Sequence, residues 1–108
     1  MILKYKHTNF KERDCMKINE YKINTNFSWS LIEIDWNHWE IKSLTEDRIY
    51  FIISWKWYFI VDWVKKEISE NDLVFIPKKT NYDINWELKY LLVCSPEFNP
   101  KNDLFISK

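Results

Sequence analysis

Glycine and alanine are both missing from this 108-residue chain. Average usage would supply glycine at roughly 7%, or about seven to eight residues. No charge sign is in surplus: 16 basic residues face 16 acidic ones. A general nucleic-acid binder needs a basic excess to offset phosphate, so nucleic acid is not an expected partner. No run approaches 18 apolar residues without a charge, which excludes a membrane-spanning helix, and no membrane partner is expected. The start, Met1 to Lys6, lacks a long apolar core and a small-residue cleavage site. No signal peptide is therefore expected, and a cytoplasmic location is. Cysteine is scarce. Cys15 and Cys94 lie far apart and form no CxxC, so reduced thiols are expected, with Cys94 packed in a strand.

What the chain has instead is tryptophan, seven of them. They stand at turn positions. Asp62-Trp63 separates Tyr58–Val61 from Val64–Ile68, and Asn85-Trp86 separates Asn81–Ile84 from Glu87–Val93. Asp-Gly and Asn-Gly are the strongest short hairpin signals, because a type I′ turn needs positive φ at both central residues. Tryptophan is a poor occupant of that backbone. The run Ser54-Trp55-Lys56-Trp57 reads naturally with glycine at both tryptophans, and Asp35-Trp36 and Ser28-Trp29 have glycine-like surroundings. The abundance of Ile, Lys and Asn without Ala points to an AT-rich gene. The simplest cause is a gene that uses UGA for glycine, translated by a table that reads UGA as tryptophan. Genuine tryptophan, in the core or as a stacking surface, is the alternative. Engineering of every glycine to tryptophan is a third.

At this length one domain is expected. Residues 1–25 are polar and mixed, with strand signals around Ile2–Tyr5 and Ile18–Ile23. They read as an N-terminal extension contributing edge strands. From Trp29 onward short β-type runs recur, predicting strands near 29–35, 39–44, 48–54, 57–62, 64–69, 72–76, 81–85 and 87–95. Ser30–Asp35 alternates, whereas Ile49-Tyr50-Phe51-Ile52-Ile53 is apolar on both faces. Many short strands with turn signals mean a sandwich or barrel, placed at 26–97. Residues 98–108 read as a C-terminal strap, with Leu104-Phe105-Ile106 docking on a sheet.

Residues 36–86 resemble the two cupin motifs. The first is G-x5-H-x-H-x3-E-x6-G. Here Trp36 is followed by five residues, Lys42, Ser43, Leu44, three residues, Arg48, six residues and Trp55. The second is G-x5-P-x-G-x2-H-x3-N. Here Asn71 is followed by five residues, Pro77, Lys78, Lys79, two residues, Tyr82, three residues and Trp86. Asp72–Pro77 and Val93–Pro96 are also similar to the family. The resemblance implies an all-β fold, a double-stranded β-helix or jelly-roll cupin barrel. Asn71 and Lys79 depart from the family glycines, which leaves their turn geometry open.

Members with the full motif hold a divalent metal with two His, a Glu and a third His. Carried over, those positions are Lys42, Leu44, Arg48 and Tyr82. Leu has no donor atom and Arg only donates. Two cations facing the barrel would repel a metal. His7 and His38 are not at ligand spacing. No metal and no cofactor are therefore expected. The resemblance places Lys42, Arg48 and Tyr82 at the barrel mouth as candidate ligand-binding residues. Their charge suits an anion such as a carboxylate or sugar phosphate. Alternatively Glu33, Glu46 or Asp47 neutralises Arg48 internally. Tyr82 is either a hydrogen-bond donor or general acid, or a packed aromatic with its hydroxyl at the rim. No general base stands convincingly beside it, so the enzyme question leans towards no.

The expected function is a metal-free cupin module, binding or regulatory, for a small anionic or sugar-like ligand. A sugar or sugar-phosphate isomerase or epimerase is the alternative, and a structural module the third. A homodimer is expected, because doubly apolar strands need cover on both sides.

Overall fold

The computed structural model describes residues 2–13, 16–23, 25–34, 40–54, 57–84, 88–96 and 103–107. Among them the regular structure is almost entirely strand. The strands are β1 (Asn9–Arg13), β2 (Met16–Tyr21), β3 (Ser28–Ile34), β4 (Glu40–Ser43), β5 (Asp47–Ser54) and β6 (Trp57–Val61). They continue as β7 (Val64–Ile68), β8 (Leu73–Ile76), β9 (Asn81–Ile84), β10 (Leu88–Ser95) and β11 (Asp103–Ser107). A single 3-10 turn, Tyr5–His7, precedes them. No helix among the described residues is long and apolar enough to cross a membrane.

Two antiparallel sheets form. One has the order β1-β2-β3-β10-β5-β8 and the other β11-β4-β9-β6-β7. From β3 the chain crosses to the second sheet at β4, returns at β5, crosses again for β6 and β7, and keeps alternating to β11. That winding is the jelly-roll expected from the sequence. From β3 to β10 the strand bounds lie within about a residue of those read from alternation. The N-terminal reading is corrected. Ile2–Tyr5 is not a strand; the first strand is Asn9–Arg13, whose mixture of charges hides its pairing with β2. At the other end, residues 103–107 join the second sheet as a strand beside β4.

Period-2 alternation drives the packing. β5 and β10 bury every second side chain, Arg48, Tyr50 and Ile52 from one and Leu88, Tyr90, Leu92 and Cys94 from the other. β9 adds Tyr82 and Ile84, and β6 adds Phe59, all at most 1% exposed. The core is therefore aromatic rather than aliphatic at its centre.

The corners are where sequence and backbone conflict. Asp62 and Trp63 have φ of 47° and 63°. This is the double left-handed geometry of a type I′ turn, joining β6 to β7. The Trp63 side chain is 70% exposed, so packing does not compensate the backbone. Asn71 and Lys79, at the motif's glycine positions, also have positive φ, 70° and 67°. Hydrogen bonds fix both. Asn71 N–H donates to Ile52 O at 2.8 Å, and Lys79 N–H donates to Ser43 O at 2.6 Å. At both departures the backbone is thus left-handed, the conformation glycine adopts most readily. Trp29 differs: it lies within β3, between Tyr21 and Val93, without positive φ. Its buried indole N–H has no hydrogen-bond acceptor. Trp36, Trp39, Trp55 and Trp86 lie outside the described residues.

A left-handed non-glycine residue costs roughly 1–2 kcal/mol, offset in part by glycine's extra unfolded-state freedom. Trp63→Gly and Lys79→Gly should therefore each raise stability by about 0.5–1 kcal/mol in urea denaturation. A loss of stability in both would show that the side chains, not the backbone, decide those corners.

Candidate functional site

The site begins at the β4–β5 connection. Ser43 closes β4, and its Oγ accepts the N–H of Glu46 at 3.2 Å. That bond turns the chain so that Glu46 and Arg48, two residues apart, send their side chains to the same inward side. The Arg48 guanidinium then meets Glu46 twice. Nε and Nη2 donate to Glu46 Oε1 at 2.9 and 2.5 Å. Glu46 is 0% exposed and Arg48 2%. A charge taken from water at that depth is tolerable only when paired and hydrogen-bonded. Of the three carboxylates the sequence offered as partners for Arg48, Glu46 is the one that binds it.

The far edge of the guanidinium reaches the opposite sheet. Nη1 donates to the Tyr82 hydroxyl at 2.6 Å. The Tyr82 and Tyr50 hydroxyls lie 2.5 Å apart, so the chain of polar contacts runs Glu46–Arg48–Tyr82–Tyr50. Tyr50 sits two residues beyond Arg48 on β5 and shares its face. Its ring packs edge-on against Phe59 and Tyr82, with centroids at 5.1 and 5.8 Å, and tilts against Tyr90 at 4.9 Å. Burial, then the neighbouring Tyr82, pushes the Tyr50 phenol well above its ordinary pKa, against the opposing pull of Arg48. Tyr50 therefore acts as a neutral donor or acceptor and not as a base. The Tyr82 hydroxyl is buried within the barrel, not presented at a rim.

Cys94 stands opposite Arg48 in the β5–β10 register and is a buried free thiol. Burial is the main cause that raises its pKa from 9.0 to about 12. Arg48 opposes that shift, Glu46 adds to it, and Ser28 opposes it through a hydrogen bond.

The structure brings Arg48 and Tyr82 together and leaves Lys42 apart. Lys42 pairs with Asn81, while its neighbour Ile41 pairs with Tyr82. Directly paired residues share a face and successive ones alternate, so Lys42 lies on the face opposite Tyr82. It is half-buried there. Leu44 is 41% exposed at the bend. The resemblance placed Lys42 and Arg48 on the same inward side. The bend at Leu44–Thr45 breaks the alternation between them, and the buried Ser43 takes the inward side. Tyr50 was missed as a site member, although its spacing from Arg48 on an alternating strand carried the signal. The site does not fit a divalent metal. A guanidinium that only donates occupies its centre, and Glu46, the nearby carboxylate, is already bound to it. Among the described residues no three His, Cys, Asp or Glu side chains group to hold a metal ion.

No family model matches this sequence, and no curated protein matches it. Solved structures do match. Pac13, described as a unique nucleoside dehydratase, superposes with a TM-score of 0.88 at 12% identity, over 99% of this chain and 91% of that one. A Streptomyces Pac13 variant with uridine gives the same score over 99% and 90%. KdgF from Halomonas sp. gives 0.79 at 9% identity, over 94% and 97%. The cupin domain of Schizosaccharomyces pombe Cnp3 gives 0.72 at 12%, over 84% and 70%. The fold these share defines the class: this protein is an all-β jelly-roll barrel. More particularly, it is a small domain of the cupin fold.

Two outcomes follow from the buried cluster. Arg48→Met should cost about 3–5 kcal/mol, because it strands Glu46 without a partner, while adding Glu46→Leu should recover most of the loss. Urea titrations of the single and double variants measure both; equal losses in the two would mean that the pair is not coupled. The second concerns pH. The folded Cys94 thiol keeps its proton to about 12 while the unfolded one loses it near 9.0. The unfolded state therefore binds fewer protons in that window, and stability falls as pH rises, by at most about 1.4 kcal/mol per pH unit for one group. Tyr50 acts in the same direction from about 10 upward. Cys94→Ala should delay the onset of the fall by about one pH unit, read from denaturation midpoints between pH 8 and 11.

Proposed function

We propose that this domain binds a small, neutral, sugar-like molecule without a metal, through the hydrogen-bonding chain Arg48–Tyr82–Tyr50. The observation that carries the reading is the Glu46 carboxylate on Arg48. It takes two guanidinium donors and cancels the charge, so the cluster offers hydrogen bonds without net positive potential. With Lys42 on the other face, the electrostatic case for an anion weakens, and that for hydroxyl and carbonyl groups strengthens. The presence of uridine in a Pac13 structure of the same fold supports the class of ligand. The domain acts as a binding or regulatory module. The Tyr82 hydroxyl accepts from Arg48, and the nearby carboxylate is engaged in an ion pair, which leaves general-base catalysis without a base at this cluster.

Arg48 and Tyr82 are at most 2% exposed, so a ligand must displace a side chain to reach them. Association should be slow, below about 10⁵ per molar per second. The test is a calorimetric and thermal-shift panel of nucleosides and neutral sugars against sugar phosphates and carboxylates. Neutral ligands should raise the melting temperature, and Tyr82→Phe should abolish that rise. A rise with anions alone, or one indifferent to Tyr82→Phe, would overturn the reading. Turnover of a bound nucleoside or sugar would move the protein to the enzyme class.

The coding proposal stands beside it. The tryptophans mark glycine positions written through UGA, a reading supported by the left-handed backbone at Trp63. Mass spectrometry of protein from its native host should show glycine at residue 63.

A further inference from the structure

The two sheets end at β8 and β7, which the turn at 69–72 joins and which do not pair with each other among the described residues. Beside that turn the margin is closed. Asn71 N–H donates to Ile52 O at 2.8 Å, Ile52 N–H donates to Asp72 O at 2.9 Å, and Ile68 is buried. Away from it the inward positions open. Directly paired residues share a face, so Tyr82, Val61 and Val64 form a row on the inner face of the smaller sheet, from β9 to β7. Along that row Tyr82 is 1% exposed, Val61 half-buried and Val64 53% exposed. The next row, Ile84, Phe59 and Lys66, runs from two buried apolar residues to an exposed lysine.

The facing sheet ends in the same way. Arg48 pairs with Ile76, and Tyr50 with the half-buried Val74. Contacts across the core fix which rows face each other. Arg48 meets Tyr82, and Tyr50 packs on Phe59. The Val64 row therefore faces Ile76, and the Lys66 row faces Val74. Val61 and Val74 are partly buried and lie against the core by packing alone. They separate the hydroxyls of Tyr82 and Tyr50 from solvent at this margin. Two strand spacings, about 10 Å, lie between Val64 and Tyr82.

We propose that the seam between β7 and β8 is the way into the buried cluster, with Val61 as its threshold and Lys66 as the residue that selects by charge. The inference rests on the binding role proposed above for Arg48, Tyr82 and Tyr50, and it names the side chain a ligand displaces to reach them. Lys66 faces the core side of an edge strand, where its ammonium stands at the lip of the seam. An inward lysine there also keeps the free edge from pairing with another strand. At the lip it admits neutral and acidic sugars and slows amino sugars, whose ammonium group it repels.

The test begins without a ligand. In a Cys15→Ser, Cys94→Ala background, Val61→Cys places a thiol at the threshold, with folding checked by circular dichroism. Methanethiosulfonate reagents bearing a sulfonate or a trimethylammonium group share their chemistry and differ in charge. Both should modify the folded protein at position 61 at a rate independent of urea below the unfolding transition. Lys66→Met should lower the preference for the anionic reagent about threefold, while Lys65→Met, on the outer face, should leave it unchanged. A rate that follows global unfolding would defeat the route, and a preference indifferent to Lys66→Met would defeat the selection. Uridine then serves as the ligand probe. Its association should slow about tenfold or more once position 61 carries the label, because the threshold is filled. Unchanged association in labelled protein would place the entrance elsewhere. If uridine gives no thermal shift before labelling, the binding reading fails for that nucleoside, and the reagent rates still decide the route.

Discussion

The contact on which the interior depends is the one from Arg48 to Tyr82. Arg48 comes from β5 in one sheet and Tyr82 from β9 in the other, so this hydrogen bond joins the two layers across the core. Apolar contacts elsewhere in the core are not directional. A guanidinium between two buried acceptors is held to one geometry, because any shift leaves a charge or a donor without a partner in a low-dielectric interior. Glu46 makes the arrangement tolerable, and Ser43 positions Glu46. The short stretch from Ser43 to Tyr50 therefore sets both the spacing of the sheets and the chemistry of the centre.

A cavity suited to a metal would present electron pairs to a cation. This interior presents N–H and O–H groups, an ion pair with no net charge, and aromatic rings closing around them. The likeness to a nucleoside dehydratase, to KdgF and to a cupin domain establishes how the chain is wound, and at 9–12% identity it establishes no more. The chemistry rests on the cluster itself.

Backbone strain and surface pattern tell a second story about economy of residue types. Without glycine in the chain, left-handed corners fall to Asp62, Trp63, Asn71 and Lys79. Asp and Asn tolerate that conformation because their short side chains bond locally. Trp and Lys gain no such relief. The corners hold because β-pairing on both sides, and cross-corner bonds such as Lys79 N–H to Ser43 O, over-determine them.

By itself the sequence determined the strands from β3 to β10, since period-2 patterning and turn chemistry are local and survive without knowledge of the partner strands. The winding came only as what the resemblance at the motif positions implied; the sequence offered Arg48 and Tyr82, with Glu46 as one of three carboxylates for Arg48. Only the tertiary structure decided how those residues meet. The bend at Leu44–Thr45 shifts alternation by one residue, and a one-residue slip turns a side chain to the other face, which is why Lys42 leaves the site and Tyr50 enters it. The first strand was likewise illegible, because an edge strand of charged residues owes its structure to the neighbour it pairs with rather than to its own pattern.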